Sequence, residues 1–258
     1  MSASGTVGPA CAGCERTAGT PLLRRALEAP PLWAQQELQA WDDNRFRRWQ
    51  ESFVTRHYWT DTGSVNVYRV IGTAHPEYQR RSWQHLLEHG RRMHLNLGLH
   101  AGQPVYYHKV APRHPAMHFR TLNGLDFFIG HDGNHRTCIA RYHFEQQGEG
   151  VTHLHGVTIE HFEVDQIAAD AYHRLVVEVQ TRNLPLFVNA ERTAVGREDT
   201  AGWKLDHYEP VVTVTHGPSG RVERLCGCEP IQAYLDGLPA SAPPGLLARL
   251  RTQFWGPS

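Results

Sequence analysis

The stretch Phe127-Phe128-Ile129-Gly130-His131-Asp132-Gly133-Asn134-His135-Arg136-Thr137 runs an apolar strand into a glycine-rich turn and then into a helix. Backbone N–H groups in a first helical turn have no intrahelical partners and sit at the positive end of the helix dipole. A phosphate placed on Asn134 to Thr137 would therefore be stabilised. Arg136 and His135 add charged donors, Gly133 permits a backbone conformation closed to residues with a side chain, and Asp132 can accept bonds from the turn amides. A purely structural reading also fits: Asp-Gly is a common turn and Asn a common helix cap, and spacing alone leaves the two readings level. His131 and His135 flank the turn, where protonated imidazoles would donate to a phosphate or a leaving group.

Other groups of metal-ligating residues are weaker. His153 and His155 lie on one side of an extended segment but match no structural zinc spacing. Cys11-x-x-Cys14 and Cys226-x-Cys228 could together supply four thiolates to zinc, yet the first pair sits in a Gly/Ala/Ser/Thr-rich tail and spacing alone is a poor guide. Cys138 falls on a predicted helix beside Ile139 and reads as a small buried hydrophobe. Five cysteines are too few and too unevenly placed for a disulfide scaffold, so reduced thiols are expected.

The elements that must hold the turn read as follows. Residues 1–20 form a flexible tail. Pro31 to Phe53 places Trp33, Leu38, Trp41, Phe46, Trp49 and Phe53 at mostly helical intervals, which predicts one amphipathic helix or two. Val65 to Ile71 reads as a strand, Ser82 to Met93 as a short helix, and Val105 to Val110 as a strand. His118–Leu122 and Leu125–Ile129 flank Asn123-Gly124, the commonest two-residue hairpin signal. Asn134 to Gln147 reads as helix, Val157 to Val164 as strand, and Asp165 to Asn183 as helix with Asp165 its N-cap. Val211–Thr215 and Arg221–Leu225 predict a second hairpin, and Ile231–Leu238 and Leu246–Trp255 two short helices. No internal repeat is visible.

Composition bounds what this frame can do. The chain has 258 residues, 40% hydrophobic and 20% charged, which describes a globular protein of one large or two modest domains. Lys plus Arg and Asp plus Glu number 26 each, so any nucleic-acid contact must be local. Eighteen histidines stand out, but Lys occurs only at Lys109 and Lys204, and that Arg-over-Lys bias matches a GC-rich coding sequence that would also supply histidine. No apolar run approaches the length of about 18 residues that spans a membrane, and Met1 to Pro9 lacks the features of a signal peptide. The expectation is a cytoplasmic protein with no membrane partner.

Asp132-Gly133-Asn134-His135-Arg136 resembles the signature of the ParB/sulfiredoxin superfamily, a set of small nucleotide-binding domains. The order of elements is similar over residues 65–165: strand, the arginine-bearing segment Glu77 to Arg81, helix, strand, and the Gly-x-x-Arg box at Gly133 to Arg136. The resemblance implies an α+β fold: a ParB/sulfiredoxin-like mixed-sheet core over 61–184, an N-terminal helical extension over 21–60, and a small C-terminal α/β section over 185–258.

It also implies a site. ATP or another nucleoside triphosphate would be held by Gly133, Asn134, His135, Arg136 and Thr137, with Arg80 and Arg81 in support. Asp132 or Glu77 would hold Mg²⁺ in part, and Asp132, His135 and Arg136 would act in catalysis. Relatives of this kind include free-serine kinases and Osa-type plasmid fertility-inhibition proteins that combine ATP hydrolysis with DNA cleavage. The expectation is an ATPase with nuclease or phosphotransfer activity. The alternative is a non-catalytic regulator whose nucleotide switches a DNA-binding or partner-binding surface such as the aromatic helix 31–53. Two departures narrow the family. Sulfiredoxins carry cysteine where this chain has Asn134, which argues against sulfinic-acid reduction. Partition ParB proteins follow the box with a helix-turn-helix, where this chain offers only the helix at 165–183.

Overall fold

The computed structural model describes residues 19–148, 150–217 and 219–240. The first elements in chain order are α1 (Pro21–Glu28), β1 (Gln39–Ala40), α2 (Asp43–Trp49), β2 (Val54–Asn66), β3 (Val70–Thr73), α3 (Trp83–His89) and α4 (Met93–Gly102). There follow β4 (His118–Leu122), β5 (Asp126–Ile129), α5 (Asn134–Gln147), β6 (His153–Val164) and α6 (Gln166–Thr181). The chain continues with β7 (Leu186–Thr200), β8 (Trp203–His216), β9 (Val222–Cys226) and α7 (Cys228–Asp236). With these seven helices among the described residues and a mixed parallel and antiparallel sheet, the class is α+β. Among the described residues no helix is long and apolar enough to cross a membrane.

Two compact units divide the chain. Among the described residues, one comprises 19–42 with Tyr58–His161 and Asp199–Lys204; the other comprises Asp43–His57, Phe162–Glu198 and 205–240. The breaks fall at other places than 60 and 184, and α6 belongs with β7, β8, β9 and α7 rather than with α5.

In the first unit the strand order is β1-β3-β5-β4-β6-β2. β1 and β5 run parallel to β3 on either side, with Gln39 opposite Gly72 and Thr73 opposite Ile129. The β4–β5 hairpin forms as read: Asn123 and Gly124 both take positive φ, 56° and 73°, as a type I′ turn requires, and Phe119 pairs with Ile129. One apolar core joins Leu38, Val70, Trp83, Leu86, Met117, Ile129, Cys138 and Tyr142. Ser82 caps α3 by accepting from the His85 N–H at 3.0 Å.

In the second unit β8 pairs with β7 and, antiparallel over Val211–Thr215, with β9, which forms the expected second hairpin. Asp165 caps α6 by accepting from Ala168 N–H at 2.9 Å, and α6 packs against α7.

Three readings of the sequence are corrected. Pro31–Phe53 is not an amphipathic helix: it breaks into a 3₁₀ turn at Leu32–Gln35, β1, α2 and a second turn at Glu51–Phe53. Its aromatic residues are packing groups of both units, with Trp33 against Tyr142 at 4.6 Å and Phe46 against Phe162 at 4.9 Å, so they form no stripe for a partner protein. Val105–Val110 is not a strand: Pro104–His108 is a 3₁₀ helix. Arg113 collects the carbonyls of Tyr106, Tyr107 and Lys109, the groups a strand would have offered to a neighbour. Val65–Ile71 straddles the end of β2, a 3₁₀ turn at Val67–Arg69 and the start of β3, the turn being set by Asn66 accepting from Tyr68 N–H at 2.9 Å. The helix read at Leu246–Trp255 and the pair Cys11 and Cys14 lie outside the described residues.

Candidate functional site

The strand-turn-helix segment forms as the sequence predicts, β5 ending at Ile129 and α5 starting at Asn134. Gly133 is the N-cap residue, at φ 117° and ψ −6°, a conformation that disfavours a side chain; an added Cβ would also come within 3.3 Å of the Met117 Cβ. A glycine has no side chain to offer the helix, and none caps it, so the first-turn amides stay available to an acceptor from outside. These residues line a cleft of about 920 Å³ in the first unit, a volume suited to a small ligand.

Around the turn the polar groups are locked. Asn134 is buried, and its Oδ1 accepts a 2.7 Å bond from the Thr73 hydroxyl, tying the start of α5 to the end of β3. Arg136 donates from Nη1 to the Tyr106 hydroxyl (3.0 Å) and the Pro115 carbonyl (2.5 Å), and from Nη2 to the Ala116 carbonyl (2.9 Å). Its Nη2 also pairs with Asp132 Oδ2 at 3.1 Å. Arg113, only 3% exposed, donates to the carbonyls of Tyr106, Tyr107, Lys109 and His155 and lies 4.7 Å over the Tyr106 ring. The two guanidinium groups thus hold the loop 104–116 in place as one wall of the cleft.

Histidines are its commonest titratable groups: His75, His100, His114, His131 and His135 all line it. His135 Nε2 shares a 3.1 Å hydrogen bond with the Tyr78 hydroxyl, and Tyr78 stacks on His75 at 4.6 Å. Burial, then the neighbouring His75, holds His135 below the usual imidazole range, so it is neutral near pH 7. The ring of His131 lies 3.7 Å from that of His118, whose own value is lowered by burial and then by His131. The Nδ1 of His75 is buried without a hydrogen-bond partner among the described residues, a polar atom left for a ligand or water to satisfy.

Behind this face His143 bridges two imidazoles, its Nδ1 3.1 Å from His100 Nε2 and its Nε2 3.1 Å from His108 Nε2. Burial, then His100 and His108, pushes His143 down to about 4.

Of the residues singled out from sequence, Asp132, Gly133, Asn134, His135, Arg136 and Glu77 are brought together in the cleft lining. Arg80 and Arg81 are not. Both are exposed, and their backbone amides bond to Leu38 and Tyr78 carbonyls, with Arg80 at a left-handed φ of 59°. Thr137 is fully buried and its hydroxyl has no partner among the described residues. Sequence reasoning missed Arg91 and Arg92, which line the cleft from the segment entering α4. Both are exposed and neither is held in an ion pair among the described residues. The one signal was adjacency of two arginines before a helix with leucines at Leu95, Leu97 and Leu99.

With Arg136 and Asp132 paired, the lining presents two open guanidinium groups against the single open carboxylate of Glu77, and so favours an anion. Among the described residues no three His, Cys, Asp or Glu side chains converge as a metal site. That donor set suits a Mg²⁺ ion carried by ligand phosphates, which needs only one or two protein carboxylates, with Glu77 the unpaired one. Cys138 is fully buried and its thiol is pushed up by burial, as a packing residue would be.

No family model, curated protein or solved structure matches this chain.

Proposed function

We propose that the chain binds a nucleotide through its phosphates in the cleft of the first unit and acts there on a phosphate ester, as an ATPase with nuclease or phosphotransfer activity. The observation that carries the reading is the uncapped N-terminus of α5 opening into a cleft whose unpaired cations are Arg91 and Arg92. The amides of the first turn would cradle one phosphate. Arg91 and Arg92 would neutralise the rest, and His135 and His131 stand beside the turn as proton donors or acceptors. Arg136 serves as the clamp that fixes the turn against the loop 104–116. The ParB/sulfiredoxin-like signature supports this assignment of the turn, but the free cations of the cleft are Arg91 and Arg92 rather than the Arg80 and Arg81 that the resemblance implies. Mg²⁺ would enter with the phosphates and meet Glu77, adding positive charge where the transferring group becomes more negative.

The test is thermal stability against ATP, ADP, CTP and GTP, with and without Mg²⁺, for the wild type and the double variant Arg91→Ala/Arg92→Ala. Ligands that bind only the native state raise its melting temperature by mass action. A nucleotide-dependent rise that disappears in the double variant, whose own melting temperature is unchanged, is the expected result, and phosphate release is then assayed with the same nucleotide. No rise with any nucleotide overturns the proposal.

A further inference from the structure

The cleft is rich in imidazoles and guanidinium groups, yet among the described residues no serine, threonine, cysteine or lysine lines it. A phosphate ester held there meets acids and bases in abundance and none of the usual aliphatic hydroxyl, thiol or amine nucleophiles. With the Tyr78 and Tyr106 hydroxyls and Asp132 already engaged by His135 and Arg136, the attacking group is taken to come from water or from the substrate. Two imidazoles stand on either side of the phosphate-facing turn. His131 precedes Asp132 and is exposed, and His135 lies in the first turn of α5 with its Nε2 anchored to Tyr78 at 3.1 Å. A pair of imidazoles flanking one phosphate is suited to moving one proton off an attacking hydroxyl and another onto a leaving oxygen.

We infer that the phosphate ester cleaved in this cleft is a ribonucleotide phosphodiester, with the substrate's own 2′-hydroxyl as nucleophile and His135 and His131 as base and acid. The inference rests on the phosphate-binding reading above and adds the substrate class. His135 takes the proton from the 2′-hydroxyl as the 2′-oxygen forms its bond to phosphorus. The bond from phosphorus to the 5′-oxygen breaks, and the imidazolium of His131 gives its proton to that oxygen. The products are a 2′,3′-cyclic phosphate and a free 5′-hydroxyl. One proton is gained and one lost by the protein, and exchange with water resets both rings. Arg91 and Arg92 offset the charge that builds on the non-bridging oxygens. An internal nucleophile also replaces a bimolecular encounter with an intramolecular one, which lowers what the protein itself must supply.

The experiment uses the full chain and three oligonucleotides of one sequence carrying a 5′-fluorophore: all-ribo, all-2′-O-methyl and all-deoxy. Binding is read by fluorescence anisotropy, and cleavage by gel and by mass of the ends. Expected is binding of all three with cleavage of the ribo-oligonucleotide alone, leaving 2′,3′-cyclic phosphate ends. His135→Ala and His131→Ala should each slow cleavage by about 100-fold or more while still binding the 2′-O-methyl oligonucleotide, which also reports that they fold. Cleavage of the deoxy-oligonucleotide at a comparable rate overturns the inference, because its nucleophile cannot be the 2′-hydroxyl. Binding of all three without cleavage of any overturns it too and leaves the phosphate-binding reading standing. Failure to bind any of them, joined to the absence of a nucleotide effect on stability, removes both.

Discussion

The arginines around the cleft follow two opposite rules. Around the turn that opens α5, the side-chain donors are engaged within the protein: Arg136 with two carbonyls, a phenol and Asp132, and Arg113 with four carbonyls. Arg91 and Arg92, also in the lining, are exposed and held in no ion pair among the described residues. Four arginines of identical chemistry therefore divide into two that fix a shape and two that leave charge for a ligand. A guanidinium that gathers several carbonyls serves a backbone with no sheet partner, as the 3₁₀ segment 104–108 requires. Arginine content near a site is thus no measure of anion binding until each donor has been followed to its acceptor.

The comparison is broken most forcefully at Arg113. Arg113→Ala leaves four carbonyls without their donor and removes a side chain packed over Tyr106, for a loss on the order of 3 kcal/mol. Thermal unfolding should show a fall of roughly 10 °C. Arg113→Lys should recover little of it, because an ammonium cannot reproduce the planar fork. Arg136→Ala should cost about 2 kcal/mol by the same reasoning. If instead it keeps the wild-type melting temperature and loses nucleotide binding, Arg136 is a ligand contact and the division drawn above is wrong.

The histidine chain behind the cleft supplies the next effect, and its sign is fixed by direction. His143 and His100 are lowered on folding, so the unfolded chain binds their protons more readily. Stability is fully present above the ordinary imidazole value of 6.5 and declines as pH falls from there toward about 4. Two further aromatic rings lie near His143, Tyr107 at 5.8 Å and Phe144 at 5.8 Å, and neither brings a carboxylate against it. Melting temperature measured across that window should fall less steeply in His143→Phe than in the wild type. Parallel curves would mean that His143 is protonated without strain in the native state.

The turn that opens α5 was legible in the sequence, and the segments packed around it were not. The β4–β5 hairpin, the start of α5 and the Asp165 cap are local events: Asn-Gly forces its own turn, and a capping side chain acts within three residues. The segment 31–53 and the loop 104–116 are set instead by distant groups. Gln39 and Ala40 become a strand because Gly72 and Thr73 lie beside them, and Tyr106 to Lys109 coil because Arg113 and Arg136 reach their backbone and side chains. No spacing rule carries that information. The same limit hid Arg91 and Arg92, whose part depends on a cleft assembled from residues up to 45 positions away in sequence, as Arg91 and Arg136 are.

The open side of the cleft gives smaller effects, and a different readout. Arg91→Ala and Arg92→Ala should each leave the unfolding free energy within about 0.5 kcal/mol of wild type, as exposed substitutions do. Each should weaken nucleotide binding by roughly tenfold, the worth of one charge-assisted bond, with a shallower dependence on salt. A loss of stability in either variant would place these residues with the clamps.

The smallest effect sharpens the comparison at its boundary. Thr137 stands in the first turns of α5 within reach of the signature, yet it is fully buried and its hydroxyl has no partner among the described residues. Thr137→Val keeps the shape and removes a buried polar atom that gains nothing from its surroundings, so stability should be unchanged or higher by about 0.5–1 kcal/mol. Nucleotide binding should be unchanged, since Thr137 is not among the residues that line the cleft. A stable variant that no longer binds would show that the hydroxyl turns toward the ligand on binding, and would move Thr137 from the locked side of the site to the open one.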